Sequence, residues 1–149
     1  MSLFIALGMM LEDMDKQEFD TYLTRMEMFR GRMDDLANSI ELMLTIILEG
    51  TRIKLGKKEM LGSKIGKFEK SQETLNSKHT GDFGELMEKL NEFNENWVIT
   101  KHGMTSGGQK DLTIYKDGKF HIFDQRKQDE IVREFTKIMG ALIEISRGI

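Results

Sequence analysis

Three histidines, His79, His102 and His121, are the only imidazoles in 149 residues. They fall on separate predicted elements with no carboxylate at ligand spacing beside them, so only the fold could build a metal site from them, and no metal or cofactor is expected. There is no cysteine, which removes thiolate ligands, thiol nucleophiles and a disulfide framework. Asp34 and Asp35 are adjacent, and neighbours on a helix point about 100° apart, so they do not form an acid–base pair. No nucleophile elbow is present to begin a serine triad. The polar, glycine-containing loop from Thr105 to Lys110 lacks P-loop spacing and follows no predicted strand, which excludes a nucleotide cradle there. His79 reads as an exposed turn residue and His121 as a surface residue of a hairpin. His102 is set apart: it closes an amphipathic helix and is followed by Gly103. A second candidate is electrostatic. Residues 51–78 carry eight lysines and arginines against three glutamates, a local balance of +5. Lys57, Lys58, Lys64 and Lys67 lie in this stretch as a candidate phosphate-binding face, the plain alternative being a solvated helix face.

These residues need a scaffold, and the apolar spacing supplies one. Phe19, Tyr22, Met26, Phe29, Met33, Leu36, Ile40, Met43 and Ile47 alternate steps of three and four, which places them on one helix face. Asp15 with Glu18 resembles a capping box at its start, and Gly50 reads as its C-cap. A helix over 16–49 is ~51 Å long at 1.5 Å per residue, against ~35–40 Å for a compact domain of this size. It must therefore protrude, bend at Gly31, or lie along a partner. Leu61, Ile65, Phe68 and Leu75 mark a basic second helix, with Gly62 and Gly66 four apart to admit another helix closely. After a turn at 77–81, Asp82 with Glu85 caps a third helix carrying Phe83, Leu86, Met87, Leu90, Phe93, Trp97 and Val98. It should end near Lys101, with Gly103 as a left-handed cap. Leu112–Lys116 and Lys119–Phe123 flank Asp117-Gly118, a strong type I′ hairpin signal. Asp124 then caps a last helix built on Ile131, Phe135, Ile138, Leu142 and Ile145.

The predicted fold is mainly α. It is a single domain over 1–149, an up-down helical bundle of four to five helices around one long helix, with a β-hairpin insertion at 111–124 before the last helix. Residues 1–14 form an apolar N-terminal segment whose Leu3–Leu11 core is too short to span a membrane and has no basic region before it. The protein is accordingly expected in the cytoplasm and off the membrane. The twelve methionines read chiefly as core filling. The chain has no proline, so helices can run long, and its net charge of −3 exerts no global pull on nucleic acid.

The segment Phe93-Asn-Glu-Asn-Trp-Val-Ile-Thr-Lys-His-Gly103, preceded by a long helix and a shorter basic one and followed by a small insertion and a final helix, resembles the HEPN superfamily. The resemblance spans most of residues 16–147 as an arrangement, and His102-Gly103 carries it at the level of a motif. It implies a helical bundle, often dimeric. Many members are metal-independent ribonucleases of toxin–antitoxin or phage-defence systems. The family motif places four to six residues between an arginine and the histidine, and the spacings it allows reach Glu95, Asn96 and Trp97. Asn96 thus stands where the arginine would be expected, and it donates hydrogen bonds without charge. In active members the histidine and arginine provide acid–base chemistry and phosphate stabilisation, and the latter needs a positive group because charge builds on the phosphate oxygens. The expected function is therefore a non-catalytic HEPN-like interaction module acting through a homodimer on a protein partner or nucleic acid. One alternative is a ribonuclease using His102, with an arginine brought from elsewhere, Arg30 or Arg32. A second is a purely structural dimerisation protein. In that last case His102 is simply a helix C-terminal residue favoured by the macrodipole.

Overall fold

A computed structural model describes residues 16–73, 80–106 and 110–149. Among them are four α-helices and three strands: α1 Lys16–Gly50, α2 Leu61–Lys70, α3 Thr80–His102, β1 Met104–Ser106, β2 Leu112–Lys116, β3 Lys119–Phe123 and α4 Gln125–Arg147. A single 3-10 turn, Ser71–Glu73, follows α2. The chain is mainly helical, with a small antiparallel sheet before the last helix, and its helix count sits at the lower end of the expected four to five. The apolar segment 1–14, the Asp15 cap, Leu75 and His79 lie outside the described residues. Among the described residues no helix is long and apolar enough to cross a membrane.

α1 runs unbroken through Gly31. Its buried residues are Tyr22, Met26, Phe29, Met33, Ala37, Ile40, Leu44, Ile47 and Leu48. Leu36 and Met43, expected on the buried face, are only half-buried, and Ala37 and Leu44 replace them. The reason is geometric. A heptad pattern repeats every 3.5 residues, while a straight α-helix turns every 3.6 and drifts ~20° per heptad. The burial follows steps of four, three and four, first from 22 to 33 and again from 33 to 44, an eleven-residue repeat close to the helix's own period.

The end of α1 differs from the expected glycine cap. Ile53 N–H donates to the Leu48 carbonyl at 2.9 Å and Arg52 N–H to the Glu49 carbonyl at 3.0 Å, the paired bonds of a Schellman motif. The left-handed residue is Arg52, at φ 62°. Gly50 serves a different need: a Cβ there would lie 2.7 Å from Ile149 Cγ2.

The chain divides into two compact units, Met1–Asp34 with Trp97–Glu130, and Asp35–Asn96 with Ile131–Ile149. In the first, β1, β2 and β3 form a sheet in that order. The predicted hairpin is present, with Leu112 opposite Phe123 and Lys116 opposite Lys119, and Asp117 and Gly118 take φ 53° and 78° as a type I′ turn requires. The third strand, β1, was not anticipated. It pairs Met104 with Tyr115 and Ser106 with Thr113, and three residues are too few to show alternation. Leu112, Ile114 and Phe123 are buried, and the Phe123 ring lies 5.0 Å from that of Phe29 on α1. Tyr22 ties helix to sheet: its hydroxyl donates to the Ser106 carbonyl at 2.6 Å and accepts from Thr113 N–H at 2.9 Å. Asp124 caps α4 as predicted, accepting from Lys127 N–H at 2.8 Å.

In the second unit, Leu61, Ile65 and Phe68 of α2 are buried, as are Phe83, Leu86, Met87, Leu90 and Phe93 of α3 and Ile131, Ile138, Leu142 and Ile145 of α4. Phe68 meets Phe83 at 5.1 Å between ring centroids, and Phe93 meets Phe135 at 6.5 Å. α3 begins at Thr80, two residues before the predicted cap. A Cβ on Gly62 would lie 3.3 Å from Asn94 Nδ2 on α3, the close approach its glycine suggested, whereas one on Gly66 would meet nothing within 4 Å.

Candidate functional site

His102 is the last residue of α3 and its side chain is exposed. The chain turns directly after it. Gly103 N–H donates to the Ile99 carbonyl at 2.8 Å, and β1 begins at Met104. The expected left-handed conformation is absent at Gly103: among the described residues, the only glycine with positive φ is Gly118. What Gly103 provides is room. A Cβ there would sit 2.3 Å from Ile114 Cγ2, 2.6 Å from the Ile99 oxygen and 3.1 Å from the Tyr115 oxygen. The helix end can meet the sheet only because that position has no side chain.

An arginine reaches this corner from α1. Arg30 Nη2 donates to the Gly103 carbonyl at 3.1 Å and to Thr105 Oγ1 at 3.2 Å. Its Nε is buried with no partner among the described residues. Burial pulls the Arg30 guanidinium below its ordinary value, and the charge of Asp34, one helical turn on, opposes that pull. Asp34 also accepts from Trp97 Nε1 at 3.3 Å, and the exposed Lys101 places Nζ over the Trp97 ring, 4.5 Å from its centre.

The corner therefore holds Arg30, Asp34, Trp97, Lys101, His102 and Thr105. Its half-buried Arg30 and Thr105 form a clamp, and its exposed groups are the Asp34 carboxylate and two cationic or potentially cationic side chains, Lys101 and His102. A solvent-facing imidazole can contact an anion or exchange a proton with a ligand. Of the two arginines considered from sequence, Arg30 arrives beside the residue after His102. Arg32 is exposed and lines a separate pocket. Asn96, half-buried on α3, belongs to the second unit and has an interaction partner of its own.

The four lysines of the candidate phosphate-binding face belong to the second unit. Two of them have carboxylate partners. Lys67 binds Glu59 and donates to the Lys54 carbonyl at 2.8 Å, and the Lys67 bond holds the Glu59 carboxyl below its ordinary value. Lys64 lies 3.7 Å from Glu41. Lys57 and Lys58 are exposed in the turn before α2. Among the described residues, no group of three or more histidines and carboxylates is placed to hold a metal ion.

Sequence reasoning missed Asp34, Thr105 and the polar role of Trp97. Arg30 and Asp34 are spaced i, i+4, a pairing signal available in advance. The Trp97–Asp34 and Arg30–Thr105 bonds join residues 63 and 75 positions apart, and local pattern carries no trace of them. No family model, curated protein or solved structure matches the chain.

Proposed function

We propose that this chain is a HEPN-like interaction module, its helices arranged as an up-down bundle, that acts as a homodimer and binds a protein partner or nucleic acid without cleaving it. The observation that carries the reading is the engagement of Arg30. The guanidinium that comes to the His102 corner is half-buried and spends Nη2 on the Gly103 carbonyl and the Thr105 hydroxyl. A cation committed to holding backbone is poorly placed to receive the charge that builds on a phosphate during transfer. Asn96, at the family's arginine position, carries no charge. Lys101 and His102 remain at the surface to contact a partner.

The second reading, a metal-independent ribonuclease, is favoured by one fact: an arginine does reach the residue next to His102. The two readings separate in one assay. The pure protein is incubated with structured and unstructured RNA in EDTA, beside His102→Ala. Intact RNA at high protein concentration is the expected result, and cleavage that disappears in His102→Ala would replace the module with the enzyme. Light scattering reads the oligomer, and a clean monomer removes the homodimer from the proposal.

A further inference from the structure

The first unit has a second polar feature, on a different face of α1 from Arg30. Arg25, Met28, Phe29 and Arg32 share that face and, with Leu112 of β2 and the first turn of α4, enclose a pocket of about 220 Å³. The floor is apolar: Phe29 and Leu112 are buried. The rim carries Met28, a large apolar side chain left 71% exposed.

The charges in this pocket are not balanced. Arg25 Nη1 makes one long contact, 3.5 Å, to the Lys110 carbonyl. Arg32 has no hydrogen-bond or ion-pair partner among the described residues. Among the described residues no carboxylate lines the pocket. Each lining glutamine amide gives one of its two N–H donors within the chain, Gln128 Nε2 to the Phe123 carbonyl at 2.8 Å and Gln125 Nε2 to Asp129 Oδ1 at 2.9 Å.

We propose that this pocket is a binding site for a phosphomonoester carried on a planar ring. Two guanidiniums match the charge of roughly −1.5 to −2 that a phosphomonoester bears at neutral pH. Their planar forks suit its oxygens in bidentate geometry. Arg25 and Arg32 stand seven residues apart, ~10.5 Å along the helix at 1.5 Å per residue, so two long side chains can converge on a group between them. The ring then covers Met28 and the apolar floor, and thioether sulfur packs well against aromatic faces. The volume is below the ~300 Å³ lower bound of drug-sized sites, which limits the ligand to a monophosphate with one planar ring, borne directly or through a sugar. The site does not depend on the His102 corner or on any family resemblance.

The test is titration calorimetry on the full chain with four probes: phenyl phosphate, uridine monophosphate, inorganic phosphate and uridine. Both organic phosphates or one of them should bind saturably, and uridine should not. Arg32→Gln, an exposed position checked for folding by circular dichroism, should weaken binding about 10- to 100-fold, as expected for loss of a hydrogen bond to a charged group. Met28→Ser should weaken the organic phosphates and leave inorganic phosphate unchanged. Tighter binding of uridine monophosphate identifies a nucleotide as the source of the ring; tighter binding of phenyl phosphate identifies an aryl phosphate. The proposal is overturned by absence of saturable binding at millimolar phosphate ester, by equal affinity in Arg32→Gln, or by inorganic phosphate binding as tightly as either ester.

Discussion

Replacing Gly103 by alanine tests the corner at its tightest point. The added methyl would lie 2.3 Å from Ile114 Cγ2 and 2.6 Å from the Ile99 oxygen, where carbon contacts normally sit at ~3.5–4.0 Å. Relief requires more than an ångström of movement. The Ile99 and Tyr115 oxygens are backbone atoms of α3 and β2, so a rotamer change cannot provide it. The methyl therefore wedges the helix end from the sheet and shifts the carbonyl that accepts from Arg30. Overpacking of this kind costs ~1–3 kcal/mol. Backbone obstacles put this case near the top of that range. At ~2–4 °C per kcal/mol for a chain of this size, the expected fall in Tm is ~6–12 °C, read by circular dichroism and checked by the urea midpoint. Gly31→Ala and Gly140→Ala are the internal controls. Both glycines are helical, and a Cβ on either meets nothing within 4 Å. The same chemical change should there stabilise by ~0.5–1 kcal/mol, since alanine is the better helix former. A Gly103→Ala melt within ~2 °C of the parent would refute the argument that space, not backbone freedom, selects glycine at this position.

Tyr22→Phe should cost ~1–3 kcal/mol, because it leaves the buried Ser106 carbonyl and Thr113 N–H without the hydroxyl that joins them; an unchanged urea midpoint would show that the bridge contributes nothing. The Lys89–Glu134 pair predicts a pH dependence. The hydrogen bond from Lys89 holds the Glu134 carboxyl below its ordinary value, so its stabilisation is complete above the unfolded value near ~4.3 and is lost as pH falls through the lower folded value. Lys89 is raised chiefly by the same bond, so its share persists up to the ordinary lysine range and fades as pH rises through the higher folded value. Glu134→Gln should lower Tm at pH 7 and converge on the parent in strong acid, and a constant difference across the acid limb would remove the pair from the account.

Much of the local architecture was legible beforehand because it rests on short-range rules. Asp117-Gly118 specified its turn through the left-handed φ values that both positions accept readily. Asp124 specified the start of α4 through a bond to an amide three residues on. Tyr22, Met26, Phe29 and Met33 specified the buried stripe of α1, and it drifted from heptad spacing further along, where the true helical period overtook the assumed one. The helix ends were read less well. Glycine at 50 and 103 suggested left-handed caps, but each position is tight against a side chain or backbone far away in sequence, Ile149 in one case and Ile114 in the other.

Residue order alone determined the helical class, the hairpin and the cap of the last helix, because hydrogen bonds and side-chain periods within a few positions decide them. Tertiary structure alone decided which arginine meets the His102 corner, that Lys64 and Lys67 are engaged by carboxylates, and that Arg25 and Arg32 share an apolar pocket with no counter-charge among the described residues. Those pairings bring together positions remote along the chain, and no local pattern records the distance between side chains until the helices have packed.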